Sequence, residues 1–139
     1  MSRAMDALTA ALVAEHAAIY GYGVLGAHLS GAALGQAQQA EAAHRGRRDH
    51  LLVLLTAAGV DPPAPAVAYT VPFPVTDPAS AQRLAVQLEE RTAAIWRVAL
   101  GPTSGEQRKI ALDALLDTAL RAARWRRASG TEPGTVPLP

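Results

Sequence analysis

Apolar residues recur at three- and four-residue spacing over four stretches of the chain, the pattern of amphipathic helices. The first stretch spans residues 3–29 and contains no proline; its stripe reads Met5, Leu8, Leu12, Glu15, Ile19, Tyr22, Gly26, Leu29. A tight turn at Leu29-Ser30-Gly31 leads to a second helix over residues 32–58, with the stripe Leu34, Ala37, Glu41, His44, Arg48, Leu51, Leu55, Ala58. Gly59 follows, at the position where a helix end favours positive φ. Residues 60–78 carry Pro62, Pro63, Pro65, Pro72, Pro74 and Pro78, and no helix survives such a run. Asp77 is then the predicted N-cap of a third helix, with Pro78 at its first position. That helix stops before Gly101-Pro102. Its expected core stripe is Leu84, Leu88, Ile95 and Val98, with Ala85, Thr92 and Ala99 alongside and Glu89 on that flank. A fourth helix opens at Ser104 or Gly105 and runs to about Arg127. It is expected to bury Leu112, Leu115, Leu116, Ala119 and Ala123, with Asp113, Asp117, Arg121 and Arg124 on the other side. Residues 1–128 thus read as one helical domain and 129–139, rich in Pro and Gly, as an extended tail.

The connections constrain the topology. Short joins make helices 1 and 2, and helices 3 and 4, antiparallel hairpins. The middle connection, about 18 residues of extended chain at ~3.1 Å each, reaches up to ~55 Å. A helix of roughly 24 residues is only about 36 Å long. The connection can therefore run the length of the bundle and reset the chain at the other end. The predicted fold is all-α: two antiparallel hairpins joined by a long Pro-rich crossover, the connectivity of a ferritin-like four-helix bundle.

Composition supports this. Half of the 139 residues are apolar, led by 31 Ala and 17 Leu, while aromatics make up 4%, which disfavours disorder and an all-β fold. A net charge of +1 argues against nucleic-acid binding. The absence of Cys excludes disulfides, thiolate zinc sites and cysteine nucleophiles. Charged residues such as Asp6 and Glu15 interrupt any leader or membrane segment, so a cytoplasmic protein with no membrane partner is expected.

The chemical anomaly lies in the stripes. Glu15, Glu41, His44 and Arg48 fall in phase with leucines, where an unpaired charge is costly. Counted from the turn near residue 30, Glu15, Glu41 and His44 differ in height by only about 1–6 Å. Glu89 stands at a similar level if helix 3 starts at the same end as helix 2. Two readings follow. In one, Arg48 closes a buried salt-bridge cluster with Glu15 and Glu41. In the other, the E-x-x-H pair Glu41 and His44 joins Glu15 and Glu89 around a metal, iron or manganese suiting such hard ligands. His16 and His50 fall off the core phase and are expected at the surface. The Arg45, Arg47, Arg48 run and the cluster Arg121, Arg124, Arg126, Arg127 read as solvated or helix-end charge.

The runs Glu15-His16-Ala17-Ala18-Ile19-Tyr20-Gly21-Tyr22-Gly23, His44-Arg45-Gly46-Arg47-Arg48-Asp49, Tyr69-Thr70-Val71-Pro72-Phe73-Pro74-Val75-Thr76 and Arg121-Ala122-Ala123-Arg124-Trp125 resemble a bacterial ferritin-like family of unknown function. The resemblance covers residues 5–127. It implies the ferritin-like bundle and no particular activity. Against working di-iron proteins of the wider superfamily it matches Glu15 to the helix 1 ligand, Glu41 and His44 to the helix 2 pair, and Glu89 to the helix 3 ligand. Helix 4 departs from that pattern: Asp117-Thr118-Ala119-Leu120 stands where a second E-x-x-H belongs. The leading expectation is a non-enzymatic structural or binding module with a degenerate core site and no cofactor. The alternative is an iron- or manganese-binding oxidoreductase or metal-handling protein. A third is a carrier holding a small ligand in the bundle core, marked by a long cavity between the hairpins. Whether the chain is an enzyme stays open. A two-fold homodimer is expected, with Tyr20, Phe73, Trp96 and Trp125 as candidate interface anchors.

Overall fold

Four α-helices and no strand make up residues 2–130, the residues described by this computed structural model: α1 (Arg3–Gly26), α2 (Gly31–Ala57), α3 (Pro78–Leu100) and α4 (Gly105–Ala128). The helix ends follow local chemistry. Ser2 Oγ accepts from the Met5 N–H at 3.1 Å. At α3, Asp77 accepts from the Ser80 N–H at 2.8 Å and Ser80 Oγ accepts in return from the Asp77 N–H at 3.1 Å, a reciprocal cap with Pro78 at the first position. Gly59 adopts φ +78° just past α2, a conformation a side chain would strain. Of the expected tail, Ser129 closes α4 by donating its N–H to the Trp125 carbonyl at 2.9 Å. Residues 131–139 lie outside the described residues.

The interior has two apolar clusters. One joins Leu8, Ala11 and Leu12 of α1 to Leu51 and Leu55 of α2, Trp96 and Ala99 of α3, and Ala111 and Ala114 of α4. The other joins Tyr22 and Leu25 of α1 to Ala37 and Ala40, Ala81, Leu84 and Ala85, and Trp125. The first halves of α1 and α4 therefore lie with the second halves of α2 and α3, and the reverse holds at the other end. The segment between α2 and α3 travels from one end to the other. Val60 packs on the first cluster, and Val71, Phe73 and Val75 pack on the second. Between these ends it is held along α1, with His16 Nε2 3.1 Å from the Pro63 carbonyl and the Tyr20 and Tyr69 rings 5.2 Å apart.

Several faces differ from the sequence expectation. α4 buries Ala111, Ala114, Thr118, Ala122 and Trp125, whereas Leu112, Leu116 and Leu120 are 44, 60 and 52% exposed. On α3, Trp96 is buried and Val98 is exposed. The reason is steric. Alanines let the two helices approach, and the tryptophans fill the remaining volume. Trp96 and Trp125 are thus core residues and cannot anchor an interface. Gly21 serves the same close approach: a Cβ there would lie 2.5 Å from Leu88 Cδ1 of α3. By length and apolar composition α1 would suffice to cross a membrane, which the sequence reading did not expect. Half of that stretch is buried within the fold, as a core helix requires.

Candidate functional site

Between the two apolar clusters lies a polar layer. Glu15 of α1, His44 of α2 and Glu89 of α3 are buried to 0, 1 and 0% exposure. They meet because each stands mid-helix on its inward face. His44 bridges the two carboxylates: Nδ1 contacts Glu15 Oε1, and Nε2 lies 2.8 Å from Glu89 Oε2. The second Glu15 oxygen is also used, and Glu89 Oε2 takes a second donor. Trp96 Nε1–H donates to Glu15 Oε2 at 3.3 Å, and the Tyr22 hydroxyl donates to Glu89 Oε2 at 2.5 Å. Trp125 Nε1–H in turn donates to the Tyr22 oxygen at 2.9 Å. The Tyr22 ring stacks on His44 with centroids 5.6 Å apart.

Helix α4 contributes a cation. Arg121 donates to Glu89 Oε1 at 3.3 Å and to Asp117 Oδ2 at 2.8 Å, and Arg47 reaches the same Asp117 oxygen at 3.4 Å. A chain of alternating charge thus runs from the buried Glu89 out to the partly exposed Asp117 and Arg47. Burial by itself would lower the His44 pKa. The hydrogen bonds it donates to Glu15 and Glu89, with the charge of those carboxylates, overcome this and lift His44 from 6.5 to about 9, so it is an imidazolium at neutral pH. Burial and the neighbouring Glu89 push the Tyr22 hydroxyl well above its usual range, keeping it a neutral donor. Arg121 loses solvation on burial, and Glu89 and Asp117 together more than offset this, so its pKa rises. Two carboxylates are balanced by an imidazolium and a guanidinium. Among the described residues, the Thr9 hydroxyl is the buried side-chain polar atom left without a partner; no atom of this network is.

Of the residues singled out by sequence, Glu15, His44 and Glu89 come together. Glu41 and Arg48 do not join them. Glu41 is partly exposed and pairs with Arg45 at 3.8 Å one turn along α2, and Arg48 pairs with the exposed Asp49 at 2.9 Å. The expected closing cation, Arg48, is therefore replaced by Arg121. Arg48 shares the inward side of α2 with His44, but its guanidinium swings out to the exposed neighbour Asp49 and stays 26% exposed at the edge of the stripe. His16 is buried by the Pro-rich segment, where a surface position was expected. Sequence reasoning missed Arg121 and the indole donors. The signal was Trp125: taking it as buried places Arg121, four residues earlier, on the same side of α4.

A Glu-His-Glu donor set is of a kind that iron or manganese accepts. A metal, however, needs a free lone pair on His44, and both ring nitrogens face carboxylates. It would also sit beside the Arg121 guanidinium. As placed, these side chains do not fit a metal.

A second feature lies on the flank of the bundle. A groove of about 730 Å³ runs between α1, α3 and the segment around Tyr69–Pro72, and its walls are mostly apolar.

A family model described as Domain of unknown function (DUF4439) matches residues 7–139. Among solved structures, the chain is similar to a conserved hypothetical protein, rv2844, from Mycobacterium tuberculosis. The two share 38% identity with a TM-score of 0.87, over 92% of this chain and 98% of that one. No curated protein matches the chain.

Proposed function

The chain belongs to the family described as Domain of unknown function (DUF4439), whose description assigns no activity, and we propose that it is a non-enzymatic, ferritin-like binding module whose core site is degenerate. One observation carries this reading: His44 spends both ring nitrogens on Glu15 and Glu89 while Arg121 occupies the other side of Glu89. The place where ferritin-like proteins of the metal-binding kind hold ions is filled by the protein's own cations. The ferritin-like reading is supported by the passage of residues 60–77 from one end of the helices to the other, which suits two antiparallel hairpins with α2 and α3 parallel.

A second reading, an iron- or manganese-binding oxidoreductase or metal-handling protein, is favoured by the convergence of Glu15, His44 and Glu89 from three helices at one buried point. Elemental analysis after incubation with Fe(II) or Mn(II) separates the two. The binding-module reading expects substoichiometric metal in wild type and no change in His44→Ala. One metal per chain, lost in His44→Ala while helicity persists, would overturn it. The proposal keeps the expected homodimer, supported by the leucine stripe Leu112, Leu116 and Leu120, which a two-fold axis would set against its own copy.

A further inference from the structure

The flanking groove has a definite shape and chemistry. Its depth comes from small residues on α1: Ala10, Ala14 and Ala17 leave space opposite Leu88 and Ile95 of α3. At about 730 Å³ it falls within the ~300–1,000 Å³ of ordinary small-molecule sites. The Tyr20–Tyr69 ring pair contributes to its wall, and the Pro-rich segment that carries Tyr69 is fixed on the bundle by Phe73, whose ring lies 4.5 Å from the Arg83 guanidinium. The wall offers few polar atoms. Thr92 turns its hydroxyl to the Leu88 carbonyl at 2.7 Å and so presents no donor.

The exception is Arg91. It lines the groove from an exposed position on α3, and no carboxylate pairs with it among the described residues. Its neighbour Glu90 is taken by Arg126 at 2.6 Å. Gln87, with its amide oxygen turned toward Arg91, accepts from the guanidinium at 2.9 Å and braces it at the groove. A trough of alanine, leucine and aromatic surface with a single braced cation is complementary to a molecule with an apolar body and an anionic head.

We propose that this groove binds a long-chain carboxylate, its alkyl chain lying along α1 and its head at Arg91. The inference deepens the binding-module reading and rests on it. The buried network then has a supporting part: it fixes α1 and α3, the two walls of the site, through Glu15 and Glu89.

Calorimetric titration of the full chain with dodecanoate, and with dodecanol as the uncharged counterpart, tests it. Wild type is expected to bind one dodecanoate per chain, more tightly than dodecanol. Arg91→Gln is expected to weaken dodecanoate roughly tenfold, the loss of one charge-assisted hydrogen bond, and to leave dodecanol unchanged. Ala14→Trp, which fills the trough from α1, should weaken both ligands. Ala94→Phe fills it from the exposed side of α3, so the result stands even if one variant folds poorly by circular dichroism. Binding of dodecanoate that neither filled variant reduces would overturn the groove assignment and leave the binding-module reading standing. Equal affinity for the acid and the alcohol would overturn the role of Arg91. Absence of binding, with Ala14→Trp instead shifting the oligomeric state, would show a second copy covering the groove and overturn the proposal. Absence of binding together with stoichiometric metal would overturn the binding-module reading as well.

Discussion

Replacing Arg121 by Leu removes one cation from a network that holds two carboxylates and two cations. Glu89 is fully buried and Arg121 is 16% exposed, with 3.3 Å between them. Breaking a buried pair costs about 3–5 kcal/mol, chiefly because the remaining charge stays buried without its counter-ion. Here Glu89 keeps the Tyr22 hydroxyl and His44, and Arg121 is partly wet, which puts the loss near the lower end, ~3 kcal/mol. For a chain of this size that corresponds to a fall in Tm of roughly 10 °C. Urea titration followed by tryptophan fluorescence is the natural assay, since Trp96 and Trp125 both donate into the network. Adding Glu89→Gln to Arg121→Leu restores charge balance, so the pair should be non-additive by about 1–3 kcal/mol. Arg48→Leu is the contrast. Its partner is the exposed Asp49, and it should stay within about 0.5 kcal/mol of wild type. An Arg121→Leu protein as stable as wild type, or a larger loss from Arg48→Leu, would refute the assignment of the closing cation.

Three further outcomes follow from the same geometry. The His44 pKa is raised from 6.5 to about 9 on folding, so its contribution is complete below about pH 6.5 and is lost as pH climbs through 9; thermal melts across that window should show a decline on the order of 3 kcal/mol, absent in His44→Gln. Gly21→Ala makes the end of the Leu88 side chain shift while gaining about 1 kcal/mol of helix propensity, so its net effect by urea titration should stay within about 1 kcal/mol, and it should become clearly stabilising when Leu88→Ala is already present. Leu116→Glu, on the exposed stripe of α4, should shift a dimer to a monomer by light scattering without loss of helicity, whereas a wild-type monomer would contradict the two-fold assembly.

The helices themselves were legible because their boundaries are written in single residues. Asp77 with Pro78, Gly59, and the prolines between them left little choice. The network was half legible. Glu15 and His44 stand out because an acid and a histidine in phase with leucines demand a partner, and Glu89 was visible as a flank residue of the right height. What failed was the face of α4. The core was phased on Leu112, Leu115, Leu116, Ala119 and Ala123, yet close packing against α3 selects Ala111, Ala114 and Ala122 and leaves Leu112 and Leu116 outside. Hydrophobicity alone does not carry that information; residue size does. With the face misplaced, Arg121 looked solvated, and Arg48 was chosen as the counter-ion on spacing alone. Trp96 and Trp125 show the same lesson. Each is the largest side chain on its helix, and phasing from them recovers Glu89 and Thr92 on α3 and Thr118 and Arg121 on α4.

A His44 cation held between two carboxylates differs from a metal ligand in the protonation of its ring. Nitrogen-15 NMR of the His44 ring in wild-type protein at neutral pH reads this directly. The expected result is an imidazolium with both ring nitrogens protonated, each in a hydrogen bond, unchanged by added Mn(II) or by a chelator. A neutral ring with one bare nitrogen, or a signal lost on adding Mn(II) and restored by the chelator, would contradict it.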